Sequence, residues 1–473
     1  MNVVKLNPLV DVFTPLLGRE NIIDPASQPE KMENFVKDMA DYPSEPSIVL
    51  QPRTSEDVSK ILDYARKTKT PVVARGAGTS LTGASSAHGG IVIDFSKNMN
   101  RILKVDPVNW YVHCQAGVVI DDLNDELMKK GFFFPPDPSS APWATVGGVV
   151  AENAGGMKCF RYGTVKDWVL ALNVVLSDGA VVKLGEPLPK NRAGYDLVHL
   201  ICGSEGTLAV ITEAWLKIIP RPPPSEHRKR MLIFFDSLDG VGRSIQKIRE
   251  NRIQPTLLEF LDRETIHSVN AAFEEMNLPE HEGTLLIEAD SQVDSILQLS
   301  RESGSSGYYL AKDEADEERL YNARAMVYLG IRAIGLAFQT EDVVVPLDRI
   351  GEYLGLLKET SRRFHVRIPV GGHAGDGNLH PIVLYDKSSE ESIRSAELAF
   401  AEICSYAIQV GGSVTGEHGL GEQKQRFAIQ QLKAHGGEES IELMTKIKAA
   451  WDPDNILNPG KFLKESRVKQ EME

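Results

Sequence analysis

Glycine-rich turns between residues 75 and 163 constrain the fold of this chain more than any other feature. Arg75–Gly83 reads Arg-Gly-Ala-Gly-Thr-Ser-Leu-Thr-Gly after an apolar run, and further glycine turns follow at 145–148, 153–156 and 161–163. Closely spaced glycines let backbone N–H groups approach an anionic ligand without Cβ clashes. Because folding alone seldom needs so many special turns in one stretch, the pattern predicts an extended ligand that carries a pyrophosphate.

Two familiar phosphate-binding motifs do not match the first of these turns. The Rossmann pattern fails because Leu81 stands where its third glycine belongs, and the P-loop pattern fails because Ala84 stands where its lysine belongs. A plain glycine-rich turn remains the alternative for residues 75–83 taken alone. The later glycine turns therefore carry the prediction of a long ligand such as FAD.

Composition excludes several classes of protein. A chain of 473 residues with 42% hydrophobic residues suits a globular protein of two or three domains, and its net charge of −14 argues against nucleic-acid binding. The four cysteines are far apart, which argues against an iron–sulfur cluster in this chain and favours a reducing compartment. We see neither a signal-peptide pattern nor an apolar run of about 20 residues, so we expect a cytoplasmic protein, at most peripheral at the inner face of the cell membrane.

Local patterns predict the order of the elements. A helix is expected to begin after Thr54, and a second to cover residues 119–130. Six apolar runs are expected to form strands, and residues 177–179 are expected to form a hairpin turn between two of them. A second region of alternating strands and helices is expected beyond the proline-rich break at 220–225. The expected strands of this set are 71–74, 91–95, 172–175, 180–183, 231–235 and 284–288, and the expected helix of the second region is 241–250.

Two histidines in the segment His373-Ala-Gly-Asp-Gly-Asn-Leu-His380 have the pattern of a metal site. Asp376-Gly377 is a preferred two-residue hairpin turn, which predicts that residue 373 pairs with 380. The two imidazoles would then stand side by side and suit a divalent metal, with Glu417 as a third ligand. Three simpler alternatives stay open: the histidines belong to the core or the surface, Asp376 and Asn378 serve only the turn, and a flavin-free metal-dependent hydrolase uses the cluster.

Six segments occur in the order seen in FAD-linked oxidases of the vanillyl-alcohol-oxidase type. The chain resembles most closely the branch containing the D subunit of bacterial glycolate oxidase and D-lactate dehydrogenases, over roughly residues 40 to 465. The resemblance implies an α+β chain with a two-part FAD-binding domain of the p-cresol methylhydroxylase (PCMH) type and an inserted α+β, ferredoxin-like substrate cap. The expected parts are a helical lead-in (1–44), the FAD-binding domain (45–221), the cap (222–410) and a completing segment (411–473). The six segments are Arg75–Gly83, Pro136–Gly156, Gly203–Thr212, His373–His380, Gly416–Gly421 and Asn458–Lys461.

The same resemblance implies a set of residues around the cofactor. Thr79 occupies the position at which several relatives carry a histidine bonded to the flavin, so FAD is expected to bind non-covalently. The expected cofactor-binding residues are Arg75, Gly76, Ala77, Gly78, Thr79, Ser80, Gly83, Pro136, Asp137, Ser139, Thr145, Gly148, Asn153, Gly155, Gly156, Tyr162, Gly163, Glu205, Gly206, Ile211 and Asn458.

The resemblance also implies the catalytic groups. His373, His380 and Glu417 match the positions that bind zinc or manganese in the family, and His418 matches the base. Arg324 matches the arginine that holds the substrate carboxylate, although a surface ion pair with Glu317 or Glu318 is the simpler alternative.

The expected activity is oxidation of a small D-2-hydroxy acid, glycolate or D-lactate, to the 2-oxo acid by hydride transfer to flavin N5. Thr340 and Tyr328 stand where D-2-hydroxyglutarate dehydrogenases are expected to have Lys and Thr, which favours a monocarboxylate. A D-2-hydroxyglutarate-type dehydrogenase and a flavin-holding subunit with little activity alone remain alternatives. In relatives, a second FAD subunit and an iron–sulfur subunit can take the electrons, so such a complex is expected. Direct transfer to oxygen or to a soluble acceptor stays open, as does a homodimer.

Overall fold

The computed structural model describes residues 7–222 and 228–463 and divides the chain into two units. Unit 1 comprises residues 1–155, 163–221 and 417–473, and unit 2 comprises 156–162 and 222–416. The division falls after Arg221, next to the expected proline-rich break, of which residues 223–225 lie outside the described residues. It differs from the expected parts in that 156–162 belongs to unit 2 and unit 1 resumes at Glu417 rather than at 411. The charged tail from Lys464 also lies outside the described residues.

Unit 1 contains two larger sheets of different kinds and a small two-stranded sheet that pairs 132–133 with 219–220. A four-stranded sheet pairs its three longer strands in parallel, in the order 22–23, 48–50, 91–94, 72–75. A five-stranded antiparallel sheet has the order 102–106, 111–115, 210–217, 169–175, 181–185. The strands of unit 1 are Ile22–Ile23, Ile48–Leu50, Val72–Arg75, Ile91–Asp94, Ile102–Asp106, Tyr111–Gln115, Phe132–Phe133, Val169–Val175, Val181–Gly185, Val210–Lys217 and Ile219–Pro220.

The helices of unit 1 follow local sequence signals. Ser55–Thr68 begins at Thr54, whose side chain accepts a hydrogen bond from the Asp57 N–H, and it buries Val58, Ile61, Leu62 and Ala65, as the sequence predicts. The predicted helix at 119–130 is confirmed as Ile120–Met128. The α-helices of unit 1 are Pro8–Leu17, Pro29–Met32, Ser55–Thr68, Ile120–Met128, Val146–Glu152, Leu197–Ile201 and Gln425–Trp451, and its 3-10 helices are Arg19–Asn21, Glu33–Phe35 and Val165–Trp168.

Unit 2 is built on one antiparallel sheet of eight strands. Its order is 305–310, 229–235, 283–289, 257–262, 370–373, 378–385, 337–340, and 343–344 also pairs with 378–385. The strands of unit 2 are Lys229–Phe235, Leu257–Asp262, Gly283–Ala289, Ser305–Leu310, Ala337–Thr340, Val343–Val344, Val370–His373 and Asn378–Tyr385. Its helices are Cys159–Tyr162, Leu238–Glu250, Arg263–Ala272, Val293–Glu302, Glu314–Ala325, Val327–Arg332, Ile350–Phe364, Glu390–Gln409 and the 3-10 helix Leu347–Arg349.

Apolar side chains cover both faces of the unit 2 sheet. One cluster combines Met231, Ile233 and Phe235 with apolar residues of the helices 238–250 and 350–364. The other combines Leu232 and Phe234 from the alternate positions of the same strand with residues of the helices 263–272 and 314–325. Since successive side chains of a strand point to opposite faces, a sheet buried on both faces reads as a continuous apolar run, which is the pattern of Met-Leu-Ile-Phe-Phe at 231–235. Within the described parts of the chain, no helix is both long and apolar enough to cross a membrane.

Candidate functional site

Unit 1 contains a cavity, open on one side to solvent, that is lined by the predicted glycine turns. Gly76 lies so close to Thr145 that a Cβ at residue 76 would lie 2.1 Å from Thr145 Oγ1, so only glycine fits this approach. The expected cofactor residues that line the cavity are Arg75, Gly76, Ala77, Gly78, Thr79, Ser80, Thr145, Gly148, Glu205, Gly206 and Ile211. A wall of backbone and small side chains next to a helix beginning at Thr145 suits a diphosphate-bearing ligand.

The other expected cofactor residues do not line this cavity. Asn458 lines a second cavity of unit 1, where its Nδ2 donates to the carbonyls of Ala84 and Glu205 at 2.8 and 2.7 Å. Gly156 and Tyr162 belong to unit 2. The remaining residues of this group lie elsewhere in unit 1: Gly83, Pro136, Asp137, Ser139, Asn153, Gly155 and Gly163.

Arg75 lines the cavity, and its guanidinium binds backbone carbonyls around it. Nη1 donates to the Ser85 carbonyl at 3.0 Å, and Nη2 donates to the carbonyls of Asn34 and Lys37 at 3.1 and 2.8 Å. The group also lies over the Phe35 ring, 5.7 Å from its centroid. Arg75 therefore ties three backbone segments together around the cavity, because each of its donors is directed at a carbonyl.

The cavity also contains an acidic side chain that sequence reasoning missed. Glu152 ends the helix Val146–Glu152 and lines the cavity together with Glu205. Burial and the neighbouring Glu205 charge raise the pKa of Glu152 well above its ordinary value. The sequence does contain a sign of this residue, because Glu152 is the single charged residue in the run Val-Gly-Gly-Val-Val-Ala-Glu. A charged side chain in an apolar segment is rarely buried without a reason.

In unit 2, the hairpin of the two histidines has a different register from the predicted one. His373 pairs with Asn378, and Gly371 pairs with His380, so the turn has four residues instead of two. The prediction that 373 faces 380 was therefore wrong. The shift is two residues, however, and side chains repeat every two residues along a strand, so both histidines stay on one face. Their ring centroids are 5.2 Å apart and the rings are nearly perpendicular.

Buried acids face the Nδ1 atoms of both histidines. His373 Nδ1 lies 2.8 and 3.0 Å from the two carboxylate oxygens of Glu259, and His380 Nδ1 lies 3.7 Å from Asp342 Oδ1. At His373 the hydrogen-bonded carboxylate favours the tautomer in which Nε2 carries the lone pair, which is the arrangement found behind metal-bound histidines; the 3.7 Å separation at His380 is an electrostatic contact beyond hydrogen-bond distance. The donor set of unit 2 thus fits a divalent metal.

Sequence reasoning missed both acids, and it assigned Asn378 to the turn alone. Glu259 lies in the apolar strand Leu-Leu-Glu-Phe-Leu, 114 residues from His373, and Asp342 is fully buried. Asn378 Nδ2 donates to Asp342 Oδ1 at 2.9 Å, so the alternative that Asn378 serves only the turn was wrong. Asp342 Oδ2 also accepts from Thr415 Oγ1 and the Gly416 N–H at 2.7 and 2.9 Å.

Arg324 is buried at the end of the helix Glu314–Ala325, with 6% of its surface exposed. Its Nε donates to Glu259 Oε2 at 2.8 Å, so the alternative of a surface ion pair with Glu317 or Glu318 was wrong. Glu259 therefore connects Arg324 to His373. A bidentate contact to a substrate carboxylate would use the two Nη atoms of Arg324.

Glu417 and His418 lie in unit 1. Glu417 Oε2 packs against Gly155, where a Cβ would lie 2.2 Å away. His418 Nε2 lies 3.6 Å from Glu417 Oε1, and the His418 carbonyl accepts from Thr82 Oγ1 at 3.3 Å. Gly416, which precedes Glu417 in the sequence, belongs to unit 2, where its N–H donates to Asp342 Oδ2.

The fold is that of PCMH-type flavoproteins. 4-Ethylphenol oxidase from Gulosibacter chungangensis superposes with a TM-score of 0.75 at 18% identity, over 98% of this chain and 99% of that one. p-Cresol methylhydroxylase superposes with a TM-score of 0.73 at 17% identity, over 96% of both chains. These likenesses define the class as an α+β flavoprotein fold with an FAD-binding domain and a second α+β domain.

Sequence comparison defines the family. The FAD binding domain family matches residues 46–185, and the family of FAD linked oxidases, C-terminal domain, matches residues 224–462. The chain belongs to the FAD-linked oxidases and is an FAD-linked oxidoreductase. This family membership argues against the alternative of a flavin-free hydrolase.

Relatives of nearly equal length carry two kinds of name. The glycolate oxidase subunit GlcD of Bacillus subtilis (strain 168) is 36% identical over 90% of this chain and 91% of the relative. The D-lactate dehydrogenase of Archaeoglobus fulgidus is 34% identical over 97% of this chain and 98% of the relative. The GlcD subunit of Escherichia coli (strain K12) is 32% identical over 89% of this chain and 84% of the relative. The expected resemblance to these two groups is confirmed.

Proposed function

We propose that this protein oxidises a small D-2-hydroxy acid, glycolate or D-lactate, to the corresponding 2-oxo acid. The relatives named glycolate oxidase subunit and D-lactate dehydrogenase support this substrate class. The observation that carries the proposal is the network in unit 2, where Glu259 joins a buried arginine to one of two neighbouring histidines. A cation, a metal-ligating pair and an adjoining carboxylate are the groups that recognition of a 2-hydroxy acid requires.

The cavity of unit 1 is the proposed FAD site. The close approach at Gly76 and the donors of Thr79 and Ser80 would hold the diphosphate, and Thr145 with Gly148 would line the remaining length. When bound, FAD would accept a hydride from the substrate Cα at its N5. Thr79 offers no nucleophilic ring nitrogen, so we propose that the chain holds FAD without a covalent bond.

The proposed metal ligands are His373 and His380, with Glu417 as the third ligand implied by the resemblance. Glu259 and Asp342 would orient the two imidazoles through Nδ1. A divalent metal, zinc or manganese, would lower the pKa of the substrate hydroxyl and fix its position. His418 would take the hydroxyl proton as general base, and Arg324 would hold the substrate carboxylate.

Thr340 and Tyr328 support a monocarboxylate substrate. Thr340 ends the strand Ala337–Thr340, and its buried Oγ1 lacks a hydrogen-bond partner among the described residues. Tyr328 packs edge-on against Phe338 with ring centroids 5.6 Å apart, and its hydroxyl accepts from Arg332 at 3.1 Å. Neither side chain supplies a cation for a second carboxylate, which would be needed for D-2-hydroxyglutarate.

For the reduced cofactor, we propose transfer of electrons to a second FAD subunit and an iron–sulfur subunit, as the GlcD name of two relatives suggests a subunit of a complex. A cytoplasmic location with at most peripheral membrane association agrees with this proposal, and a homodimer of this chain is the second assembly to test. Co-purification of the tagged chain with and without its partner genes, followed by mass measurement in solution, distinguishes these assemblies.

The decisive experiment is an absorbance spectrum of the purified protein before and after anaerobic addition of substrate. We expect the flavin bands to bleach with glycolate or D-lactate but not with L-lactate. A higher kcat/KM for D-2-hydroxyglutarate than for either monocarboxylate would contradict the substrate assignment. Metal analysis of the same sample tests the ligand set, which predicts one divalent metal per chain.

The role of His418 is tested by His418→Ala. We expect the variant to retain FAD and to lose bleaching rate by about 10²- to 10⁴-fold, the usual contribution of a general base. His267→Ala is the matched control, because His267 is an exposed histidine of unit 2 whose ring contacts Glu280. Equal bleaching by His418→Ala and wild type would show that His418 is not the base, although the chain still catalyses the oxidation.

Non-covalent binding is tested by acid precipitation. We expect the yellow colour to appear in the supernatant, because Thr79 cannot form the histidyl bond seen at this position in several relatives. Colour that remains in the pellet would contradict this proposal.

A further inference from the structure

Two carboxyl groups lie side by side at the cofactor cavity of unit 1. Glu152 and Glu205 both line the cavity, and Glu205 is only 4% exposed. Gly419, which has a positive φ of 79°, packs against both side chains. A Cβ at this residue would lie 2.7 Å from Glu152 Oε2 and 2.9 Å from Glu205 Oε1, so both carboxyl groups lie against Gly419, and the Glu205 charge acts on Glu152.

The hydrogen bonds of the two carboxyl groups are unequal. Glu205 Oε1 accepts from the Leu420 N–H at 2.7 Å, and Glu205 Oε2 accepts from the Gly421 N–H at 2.8 Å. Glu152 Oε2 is buried and has no hydrogen-bond partner among the residues that the structure describes. Glu205 is thus held as an acceptor on both oxygens, whereas a buried oxygen of Glu152 still lacks a partner.

The charges around the pair favour one proton on Glu152. Burial, the Glu205 charge and Asp38 all raise the pKa of Glu152. Burial also raises the pKa of Glu205, but the two backbone donors and the Lys461 charge oppose that rise. The Arg75 charge acts on Asp38 rather than on this pair. The acid with the fewest compensating groups is therefore Glu152.

We propose that Glu152 binds the cofactor as a neutral carboxylic acid, donating a hydrogen bond to FAD from the wall of the cavity. The inference rests on the proposed function, because the partner that it assigns to Glu152 Oε2 is bound FAD. An ionised Glu152 would instead place a second negative charge beside Glu205 and near an anionic diphosphate, and both contacts are repulsive. Glu152 is a binding and positioning residue in this assignment, because it takes no part in the transfer of the hydride.

The inference predicts that FAD binding depends on the proton of Glu152. Below the raised pKa the acid donates its hydrogen bond, and above it the carboxylate repels the ligand, so FAD affinity falls as the pH rises. Glu152→Gln keeps an amide donor at every pH and cannot ionise. This substitution should therefore remove the part of the pH dependence that belongs to residue 152.

The experiment dilutes the FAD-loaded protein between pH 6 and pH 9 and measures released FAD by its fluorescence. We expect the Kd of wild type to rise about tenfold over this range, and that of Glu152→Gln to change much less. Asp38, whose pKa is raised to about 6 by burial, titrates in both proteins, so the difference between them isolates Glu152. Glu213→Gln is the matched control, since it neutralises a half-buried acid of unit 1 that binds His113 outside the cavity.

Three results separate the possible failures. Equal pH dependence in wild type and Glu152→Gln would overturn the inference while leaving FAD binding intact. Wild type that binds no FAD at any pH would refute the proposed function and the inference together. If Glu152→Gln does not fold, infrared spectra of FAD-loaded wild type with isotope-labelled glutamate decide the point, because the label separates glutamate bands from those of Asp38 and Asp262, whose pKa values are also raised. A protonated glutamic acid band that disappears when the pH is raised and FAD is released supports the inference, and its absence at pH 6 overturns it.

Discussion

Buried carboxyl groups are compensated differently in the two units. In unit 1, Glu205 is 4% exposed and accepts hydrogen bonds from two backbone N–H groups, while Glu152 beside it has an oxygen without a partner among the described residues. In unit 2, Glu259 is 1% exposed and contacts the Arg324 guanidinium and the His373 imidazole. Glu205 accepts from backbone dipoles and is influenced by the Lys461 charge, whereas Glu259 is in direct contact with an arginine.

This difference explains which acids keep a proton. Backbone N–H groups satisfy the oxygens of a carboxylate but leave its charge in a medium that solvates it poorly, so the pKa values of Glu152 and Glu205 rise. An arginine beside a buried carboxylate balances the charge itself. Unit 1 can therefore present an acid donor to an anionic ligand, while unit 2 presents an oriented cation and oriented imidazoles.

The largest loss in the free energy of unfolding is expected from breaking the network of unit 2 in which Glu259 contacts Arg324 and His373. Glu259→Leu leaves Arg324 buried without its carboxylate, which costs about 3–5 kcal/mol in the free energy of unfolding. Urea denaturation of wild type and variant at the same pH measures the loss. Glu259→Gln keeps an acceptor oxygen and is expected to lose less. Equal midpoints for Glu259→Leu and wild type would show that this ion pair does not stabilise unit 2.

A smaller effect is expected at Asp342, an acid of unit 2 that receives neutral donors as Glu205 does. Asn378→Ala removes the donor to Asp342 Oδ1 and the donor to the Val343 carbonyl. Loss of a buried donor costs about 1–3 kcal/mol, so the urea midpoint should fall by less than with Glu259→Leu. An unchanged midpoint would mean that the remaining donors, Thr415 and Gly416, are sufficient for Asp342.

The comparison extends to Asp262, which begins the helix Arg263–Ala272 and accepts from the Thr265 N–H at 2.8 Å. Burial raises the pKa of Asp262 from 3.8 to about 7. Between about pH 4 and pH 7, the folded state keeps a proton on Asp262 that the unfolded state releases. The contribution of this group to the free energy of unfolding is therefore fully present below about pH 4 and is lost as the pH rises through about 7. Asp262→Asn keeps an acceptor for the helix and cannot ionise.

We expect the Tm of Asp262→Asn to gain about 5–10 °C on that of wild type between pH 5 and pH 8.5, because a pKa raised from 3.8 to about 7 corresponds to about 2–3 kcal/mol over this range. Asp313→Asn is the matched control, because Asp313 begins the helix Glu314–Ala325 in the same way but is exposed. A constant Tm difference across this range would show that Asp262 does not carry the proton.

The smallest effect is expected from an exposed ion pair of unit 2. Glu264 and Arg367 retain 32% and 49% exposure of their side chains, so water already solvates both charges. Glu264→Ala should change the free energy of unfolding by at most about 1 kcal/mol. A loss as large as that of Glu259→Leu would contradict the view that burial decides how much an ion pair contributes to the free energy of unfolding.

Local elements were predictable because their signals are local. The capping residue Thr54, the apolar positions that follow it and the hairpin turn after Val175 correspond to the helix Ser55–Thr68 and to the paired strands 169–175 and 181–185. The prediction that the two histidines share a face survived a wrong register, because a shift of two residues restores the same side of a strand. The register itself depended on a four-residue turn that the Asp-Gly pair did not indicate.

The amino-acid sequence alone determined the glycine approaches of the cofactor cavity, the family and the paired histidines, since each depends on residue types at short, regular spacings. Only the tertiary structure decided which acid meets which partner: Glu259 meets His373 across 114 residues, and Glu205 meets Leu420 across 215. Arg75 likewise turned out to bind backbone carbonyls of residues 34 and 37. Hydrogen bonding and charge balance are set by what packs against a side chain after folding, and no periodicity along the chain encodes that.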